Sequence, residues 1–227
     1  GEDAGNYTIT PSGATAANYT MKFVTANFEI KQKYLVVVAD TGLTKIYGDS
    51  DPPLTYVIAG FVNGEDKGVL DTDVAISRAA GEDVGTYTIT PSGATADNYY
   101  FDYFPADFTI TKKSLTITAD AVTKVYGTAD PASYAYTMTG LTNGDSESDL
   151  DTAVIISRAV GENVGLHTIT PSSAVDANYD INFVTADFTI TKATLTVTAD
   201  SGQTKVYGTA DPASYAYTIT GLTNGDS

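Results

Sequence analysis

Acidic side chains are the most numerous groups in this sequence that could bind a metal ion. Asp40, Asp49 and Asp51 lie close together in the chain, and carboxylate oxygens are the ligands that Ca²⁺ prefers. They are therefore candidates for a calcium site, although the sequence contains no Asp-x-Asp-x-Asp-Gly loop. Glu147, Asp149 and Asp151 form another acidic run, which a solvated loop explains more simply. Calcium is the one cofactor that the sequence suggests.

Catalytic constellations are absent from the sequence. There is no cysteine, and His167 is the single histidine. No Gly-x-Ser-x-Gly motif and no glycine-rich phosphate loop occurs either. We therefore expect no enzymatic activity and no bound organic cofactor.

A covalent crosslink between lysine and asparagine is a second chemical hypothesis, because a chain without cysteine has no disulfides to stabilise it. The candidates are Lys45, Lys124 and Lys205 with Asn98 and Asn178, assisted by Glu82 or Glu162. The alternative is that the lysines lie on a solvated strand face while the asparagines form turns.

Tyrosines are abundant and could stack on sugar rings. Tyr134 and Tyr136 share one face of a predicted strand, and Tyr215 and Tyr217 repeat the pattern. Tyrosine also packs into cores and cross-strand pairs, and we favour packing here.

The chain repeats itself with a period of 80 residues. Ile-Thr-Pro begins at Ile9, Ile89 and Ile169, a spacing of 80 in both cases. A fixed period of this length indicates an array of small domains. The predicted boundaries are a C-terminal half repeat at 1–32, complete repeats at 33–112 and 113–192, and an N-terminal half repeat at 193–227. An array of this kind favours mechanical or display functions.

Composition limits the partners of the array. The formal net charge is −16 and apolar residues make up 42% of the chain. Nucleic acid is excluded as a partner because its phosphates would be repelled. No apolar run approaches the length of a membrane span, and no signal peptide begins the sequence.

Each repeat is predicted to be mainly β. Residues 113–192 contain seven short strand patterns and one possible helical turn at 145–150, and Pro171 is predicted to end strand pairing because it lacks an N–H. The inward residues change parity between Phe108 and Ile110 on one side of the boundary and Leu115 and Ile117 on the other. An odd slip exchanges the buried face of a strand. We therefore predict stiff, end-to-end joints and an elongated rod.

Tyrosine–glycine pairs recur in three copies, each followed by proline, and are predicted to form turns. The residues are Tyr47, Gly48 and Pro52; Tyr126, Gly127 and Pro131; and Tyr207, Gly208 and Pro212. With Leu115, Ile117, Phe183, Phe188 and Ile190, we expect Tyr126 to carry the packing of its repeat.

This pattern resembles the Tyr-Gly-x signature of MBG domains, which are related to mucin-binding repeats. Matching features downstream are Gly140 to Asp145, Val164-Gly165, Ile169-Thr170, Asn178-Tyr179 and Asp187 to Ile190. The resemblance implies tandem, β-grasp-like or sandwich-like modules in an extracellular adhesin on a bacterial cell surface. It also implies host or matrix glycans as possible ligands.

The expected function is that of a stalk or filament segment that extends a distal binding region, with neighbouring repeats or identical chains as partners. Two alternatives are glycan-binding repeats and a self-assembling fibre subunit completed by strand sharing. The two half repeats add to 67 residues, 13 short of a whole repeat. We prefer a window cut from a longer array, because a domain without a central strand would expose unpaired edges.

Overall fold

The structure is a computed structural model that describes residues 2–227. The chain divides into two compact units, residues 1–112 and 113–227. In the described residues the regular structure is β-strand with two short 3-10 turns. A search for helices long and apolar enough to cross a membrane found none in this part of the chain.

Unit 1 consists of a hairpin followed by two sheets. Its strands are β1 (Gly5–Ile9), β2 (Ala26–Ile30), β3 (Lys33–Ala39), β4 (Leu43–Ile46), β5 (Tyr56–Ala59), β6 (Ala75–Arg78), β7 (Gly85–Ser92), β8 (Tyr99–Phe104) and β9 (Ala106–Thr111). β1 and β2 pair with each other, one sheet has the order β5-β3-β8, and the other has the order β4-β9-β7-β6. The β3–β8 and β4–β9 pairs are parallel.

Unit 2 repeats the two sheets and ends in a hairpin. Its strands are β10 (Lys113–Ala119), β11 (Val122–Val125), β12 (Tyr136–Thr139), β13 (Ile155–Arg158), β14 (Gly165–Ser172), β15 (Tyr179–Val184), β16 (Ala186–Thr191), β17 (Thr196–Ala199) and β18 (Tyr217–Thr220). The sheet orders are β12-β10-β15 and β11-β16-β14-β13, and β17 pairs with β18.

Alternation of apolar and hydroxyl residues builds each core. Leu115 and Ile117 on β10 and Phe188 and Ile190 on β16 are almost completely buried. Successive side chains of a strand point to opposite faces, so the threonines between these residues face outward. The sequence is therefore confirmed to encode tandem β-rich domains with sandwich-like pairs of sheets.

The seven strands predicted in residues 113–192 all form, with shifted ends. The predicted helical turn is a 3-10 turn at Glu147–Asp149, and the Asp149 carboxylate accepts a hydrogen bond from the Ser146 backbone N–H at 2.7 Å. The parity change is also present, since Phe108 and Ile110 on β9 and Leu115 and Ile117 on β10 are buried.

The prediction that Pro171 ends pairing is wrong. β14 continues to Ser172, and Pro171 is paired with Ile156 of β13. Hydrogen-bonded and non-hydrogen-bonded pairs alternate along an antiparallel ladder. The Ala159 N–H donates to the Thr168 carbonyl at 2.8 Å, which places Pro171 at a non-hydrogen-bonded position. Its nitrogen faces the side of β16, whose pairing with β14 ends at Ile169, so the missing N–H costs no ladder bond.

Asn-Gly turns close the loop that precedes each acidic segment. Asn63, Asn143 and Asn224 have φ near +55°, and each is followed by a glycine that also has positive φ. The residue after that glycine donates its N–H across the turn, as Asp145 does to the Thr142 carbonyl at 2.8 Å. Two successive residues with positive φ form a type I′ turn, for which Asn-Gly is the preferred sequence.

Truncation of a core ring tests this assignment of the core. We expect Phe188→Ala to destabilise residues 113–192 by about 3–5 kcal/mol, because it removes a fully buried aromatic ring. Hydrogen exchange read separately in each repeat measures the loss. Phe104→Ala, at a half-exposed ring, is the matched control with an effect below about 0.5 kcal/mol. Equal effects would contradict the assignment.

Candidate functional site

A closed ring of four charged side chains lies in the repeat 33–112. Lys45 Nζ is 2.7 Å from Asp51 Oδ1, and Asp51 Oδ2 is 2.5 Å from Arg78 Nε. Arg78 Nη2 is 2.6 Å from Glu82 Oε1, and the other oxygen of Glu82 contacts Lys45 Nζ. Each cation therefore touches both anions. We call these four residues the ionic ring.

The two cations of the ring are buried, whereas its carboxylates reach solvent. The side chains of Lys45 and Arg78 are 4% and 9% exposed. The remaining Arg78 N–H groups donate to the Ala79 and Gly81 carbonyls at 2.8 and 2.7 Å, so the guanidinium uses its full donor set. The Arg78 guanidinium also lies 5.1 Å from the centre of the buried Phe108 ring, a cation–π distance.

The ring shifts the pKa of each of its members toward the charged form. Hydrogen bonds from Arg78 and then Lys45 lower the pKa of Asp51 from 3.8 to about 2. Burial alone would lower the pKa of Lys45, but hydrogen bonds to Asp51 and Glu82 outweigh it and raise that pKa. Hydrogen bonds from Lys45 and Arg78 lower the pKa of Glu82. All four groups are therefore charged at neutral pH.

The repeat 113–192 contains the same ring, and the last half repeat contains a fragment of it. Lys124 Nζ is 2.6 Å from Asp130 Oδ1, Arg158 Nε is 2.5 Å from Asp130 Oδ2, and both cations contact Glu162. In residues 193–227 only the Lys205–Asp211 pair is formed, and there the lysine side chain is 48% exposed. Burial of the lysine accompanies the complete ring.

The arginines of the ring were not among the predicted site residues. Arg78 and Arg158 are the only arginines in the sequence, and they lie 80 residues apart. The recurrence of this rare residue at the 80-residue period is the sequence pattern that could have identified the two arginines as site residues. The ring could be recognised only from the fold, because Lys45 and Arg78 are on β4 and β6, the two edge strands of one sheet.

The crosslink candidates Lys45 and Asn98 have other contacts in the structure, although Lys45 does reach the proposed carboxylate Glu82. Lys45 does contact Glu82, but its other partner is Asp51. Asn98 instead uses its side chain to bond Ala4 and Asp3. An ammonium held between two carboxylates has no free electron pair for attack on a carbonyl. The geometry therefore favours an ionic link over a covalent one.

The three calcium candidates are not brought together. Asp51 belongs to the ionic ring, and Asp40 accepts a hydrogen bond from the Thr55 hydroxyl at 2.6 Å. Within residues 2–227 no three acidic or histidine side chains are grouped closely enough to hold a metal ion. The calcium prediction for Asp40, Asp49 and Asp51 therefore gains no support from this geometry.

The tyrosine–glycine pairs occupy the centres of β-turns. The residue after each pair donates its N–H to the residue before it: Asp49 to Ile46 at 3.0 Å, and Thr128 to Val125 at 3.1 Å. Gly48, Gly127 and Gly208 have φ between +82° and +85°, a conformation that glycine adopts at little cost. Asp130 and Asp51, before the prolines of the motif, belong to the ionic rings.

The turn at Tyr126-Gly127 contacts the half repeat that follows it. The Tyr126 hydroxyl donates to Asp226 Oδ2 at 3.0 Å. A Cβ atom placed on Gly127 would lie 2.2 Å from the Thr223 hydroxyl oxygen, closer than side chains can approach. Val164, Leu195 and other residues line a crevice beside this contact. We call this surface the C-terminal joint.

A second joint lies in unit 1, between the half repeat 1–32 and the repeat 33–112. The Ala4 N–H donates to Asn98 Oδ1 at 2.6 Å, and the Asn98 amide donates to Asp3 Oδ1 at 2.9 Å. The Gln32 side chain donates to the Asp97 carbonyl at 3.0 Å. Asn98 is the asparagine of the recurrent Asn-Tyr motif, so this motif also serves a joint.

The tyrosine of the same motif binds the Asn-Gly loop of its own repeat. The Tyr179 hydroxyl contacts Asp145 Oδ2 at 2.6 Å and accepts the Thr142 N–H at 3.0 Å. Tyr99 contacts Glu65 and Val62 in the same way. Asp226 and Thr223 occupy the corresponding loop positions in the last half repeat, and those are the residues that meet Tyr126 and Gly127.

The ionic ring flanks the joint residues along the chain. Lys124 and Asp130 lie on either side of Tyr126-Gly127, and Glu162 lies two positions before Val164. The ring therefore holds both segments of the repeat 113–192 that line the C-terminal joint.

Tyr134, Tyr136 and His167 have structural contacts, whereas Tyr215 and Tyr217 of the last half repeat are 59% and 61% exposed. The Tyr134 ring packs edge-on against Phe188 with centroids 5.9 Å apart. A hydrogen bond to Glu147, and then burial, raises the pKa of Tyr136 to about 12. His167 Nε2 bonds the Asn163 carbonyl at 2.9 Å, as the Tyr87 hydroxyl bonds the Asp83 carbonyl at 2.8 Å. His167 thus replaces the hydrogen bond of a tyrosine.

Comparison with known protein families identifies the family to which these repeats belong. The family profile of the MBG domain (YGX type) matches residues 1–29, 35–109, 115–189 and 195–227. The chain therefore belongs to the MBG domain (YGX type) family and carries its domain in tandem. A comparison with curated proteins finds no match.

Removal of one ring carboxylate should change the response to acid. Because the pKa of Asp51 is about 2 in the folded chain and 3.8 otherwise, its contribution to stability is present above pH 4 and is lost as the pH falls toward 2. Asp51→Asn should lower the stability of residues 33–112 at pH 6 and lose less of it between pH 4 and 2.

Urea unfolding followed by hydrogen exchange in each repeat, at a series of pH values, measures this. Asp49→Asn is the matched control, since it removes a neighbouring carboxylate outside the ring. Parallel pH profiles for the wild type and Asp51→Asn would show that the ring carries no acid-sensitive stability.

Proposed function

We propose that this chain is a segment of the stalk of a bacterial cell-surface adhesin, in which tandem MBG domains hold a distal binding region away from the cell. The observation that carries the proposal is the construction of the joints. Recurrent motif residues, which could have lined a ligand site, instead contact the adjoining repeat or half repeat.

A stalk requires that neighbouring domains resist bending, and the contacts at the C-terminal joint supply such resistance. The Tyr126–Asp226 hydrogen bond is directional, and Thr223 approaches Gly127 so closely that no Cβ atom would fit at that point. Only residues 192–195 separate β16 from β17, a connection too short to act as a flexible tether. Both the linker and the side chains therefore restrict motion at this joint.

Electrostatics is consistent with an extended, solvated segment. The net charge is −16 over 227 residues. Evenly distributed negative charge repels itself and so opposes collapse of an array onto itself. The stability of such an array is approximately the sum of its repeats and their nearest-neighbour interfaces. The joints are then the elements on which stiffness depends, and an extracellular location follows from the adhesin role.

Enlargement of the joint glycine is the direct test. Gly127→Val should broaden the distribution of distances between spin labels at Thr139→Cys and Thr220→Cys, because the added side chain collides with Thr223. The chain has no native cysteine, so the labels are unambiguous, and both positions are exposed. Electron paramagnetic resonance measures the distances.

Gly208→Val is the matched control for this experiment. Gly208 has the same motif and a φ of +85°, but no atom lies within 4 Å of its added Cβ. Its backbone strain is therefore equal while its collision is absent, and we expect an unchanged distribution. Similar distributions in the wild type and in Gly127→Val, or a broad distribution in the wild type, would oppose a stiff stalk.

A further inference from the structure

The outer face of the sheet β5-β3-β8 differs from its equivalents elsewhere in the chain. Ladder pairing arranges its residues in three rows: Tyr34 beside Tyr100; Ala59, Val36 and Asp102; and Val57, Val38 and Phe104. All of them are exposed except Val36, which is half-buried. We call these eight residues the apolar face.

The repeat 113–192 has polar residues at seven of the eight equivalent positions. Its rows are Ser114 beside Asp180; Thr139, Thr116 and Asn182; and Thr137, Thr118 and Val184. The half repeat 193–227 also has threonine where the apolar face has valine or alanine, at Thr196, Thr198, Thr218 and Thr220. Three strands that are separate in sequence have therefore changed together.

Folding does not require this change. The repeat 113–192 forms the same sheet with hydroxyl residues on its outer face. The inward residues Leu35 and Val37 are completely buried, as are Leu115 and Ile117, so the two cores are built alike. Tyr34 and Tyr100 remain 62% and 56% exposed although their rings contact each other edge-on at 5.3 Å. A contiguous exposed apolar patch of this kind marks a surface that binds another molecule.

We propose that the apolar face of the repeat 33–112 binds a separate protein whose apolar surface carries lysine or arginine. The charge of the face selects this partner. Asp102 lies at the edge of the middle row, and among the described residues its carboxylate has no hydrogen bond or ion pair. The whole repeat has 5 basic and 12 acidic residues, so a cationic group opposite Asp102 would be attracted both locally and at long range.

The same charges disfavour the other occupants. Two copies of the chain joined through this face would bring together two repeats of net charge −7 and bury unpaired carboxylates, which is costly. An anionic lipid surface would be repelled. Sugars need several hydrogen-bonding groups around an aromatic ring. Apart from the Asp102 carboxylate and the Tyr34 and Tyr100 hydroxyls, the side chains of this face are hydrocarbon, which suits an apolar protein surface better than a sugar.

A defined peptide tests the proposal on the whole chain. The probe is a synthetic ten-residue strand that alternates lysine with valine or phenylalanine, and the control probe has glutamate in place of lysine. We expect saturable binding of the lysine probe by calorimetry, with shifts of the Tyr34, Tyr100 and Val38 signals by nuclear magnetic resonance. The glutamate probe should not bind.

Variants taken from the chain itself separate this face from general charge attraction. Tyr34→Ser, Val36→Thr, Val38→Thr and Tyr100→Thr combined introduce residues found at the equivalent positions Ser114, Thr116, Thr118 and Thr20, and they leave the net charge unchanged. Binding of the lysine probe should weaken by about tenfold or more, and Asp102→Asn, which introduces the residue of Asn182, should weaken it by about three- to tenfold.

The reverse exchange covers the case in which the combined variant fails to fold. Ser114→Tyr, Thr116→Val, Thr118→Val, Asp180→Tyr and Asn182→Asp together should add a second binding site for the lysine probe. Unchanged binding in the first set and no added site in the second would overturn the proposal. It would equally be overturned if the face drove self-association in sedimentation velocity, or if mucin-type oligosaccharides shifted its signals while the lysine probe did not.

Discussion

The ionic ring is the interaction on which the rest of each complete repeat depends. It joins the two edge strands of the four-stranded sheet, because Lys45 lies on β4 and Arg78 on β6 while the buried Phe108 lies between them on β9. An ammonium or guanidinium is seldom buried without a partner, and here each cation has two carboxylates. The ring therefore links the two edges of this sheet across the buried Phe108 ring.

The same ring positions the residues of the C-terminal joint. In the repeat 113–192 it holds the segments on both sides of Tyr126-Gly127 and the segment before Val164, and these residues meet the following half repeat. The incomplete pair Lys205–Asp211 remains exposed. Charge pairing inside this repeat and its contact with the following half repeat therefore involve the same chain segments.

Much of this fold could be predicted from periodicity. Strict alternation specified the strands and their buried faces, as at Leu115 and Phe188, and Asn-Gly specified the turns. The prediction that Pro171 ends strand pairing is wrong. The effect of a proline on a ladder depends on which side of the strand its nitrogen faces, and only the ladder register determines that side. The ring could not be assembled from sequence, since Lys45 and Arg78 meet through the order of strands in the sheet and not through spacing.

The role of Tyr126 shows a similar limit. As a large half-apolar residue it was expected to pack into its own core, and it does lie against the cluster around Phe188. Its hydroxyl, however, leaves the repeat to reach Asp226. This hydrogen bond joins residues 100 positions apart in the sequence. No local sequence pattern predicts it. The apolar face could not be predicted from the sequence either, because its residues belong to three strands that only the ladder register places side by side.

One measurement addresses the dependence of the joint on the ring most directly. In the chain with spin labels at Thr139→Cys and Thr220→Cys, Arg158→Met removes a ring cation while leaving Tyr126, Gly127 and Thr223 in place. If the ring orients the joint, the distribution of distances between the labels becomes broader than in the unaltered chain, under conditions in which the remaining hydrogen-exchange protection of β10 and β16 shows that the destabilised repeat is still folded. A distribution of unchanged width in Arg158→Met would contradict the account.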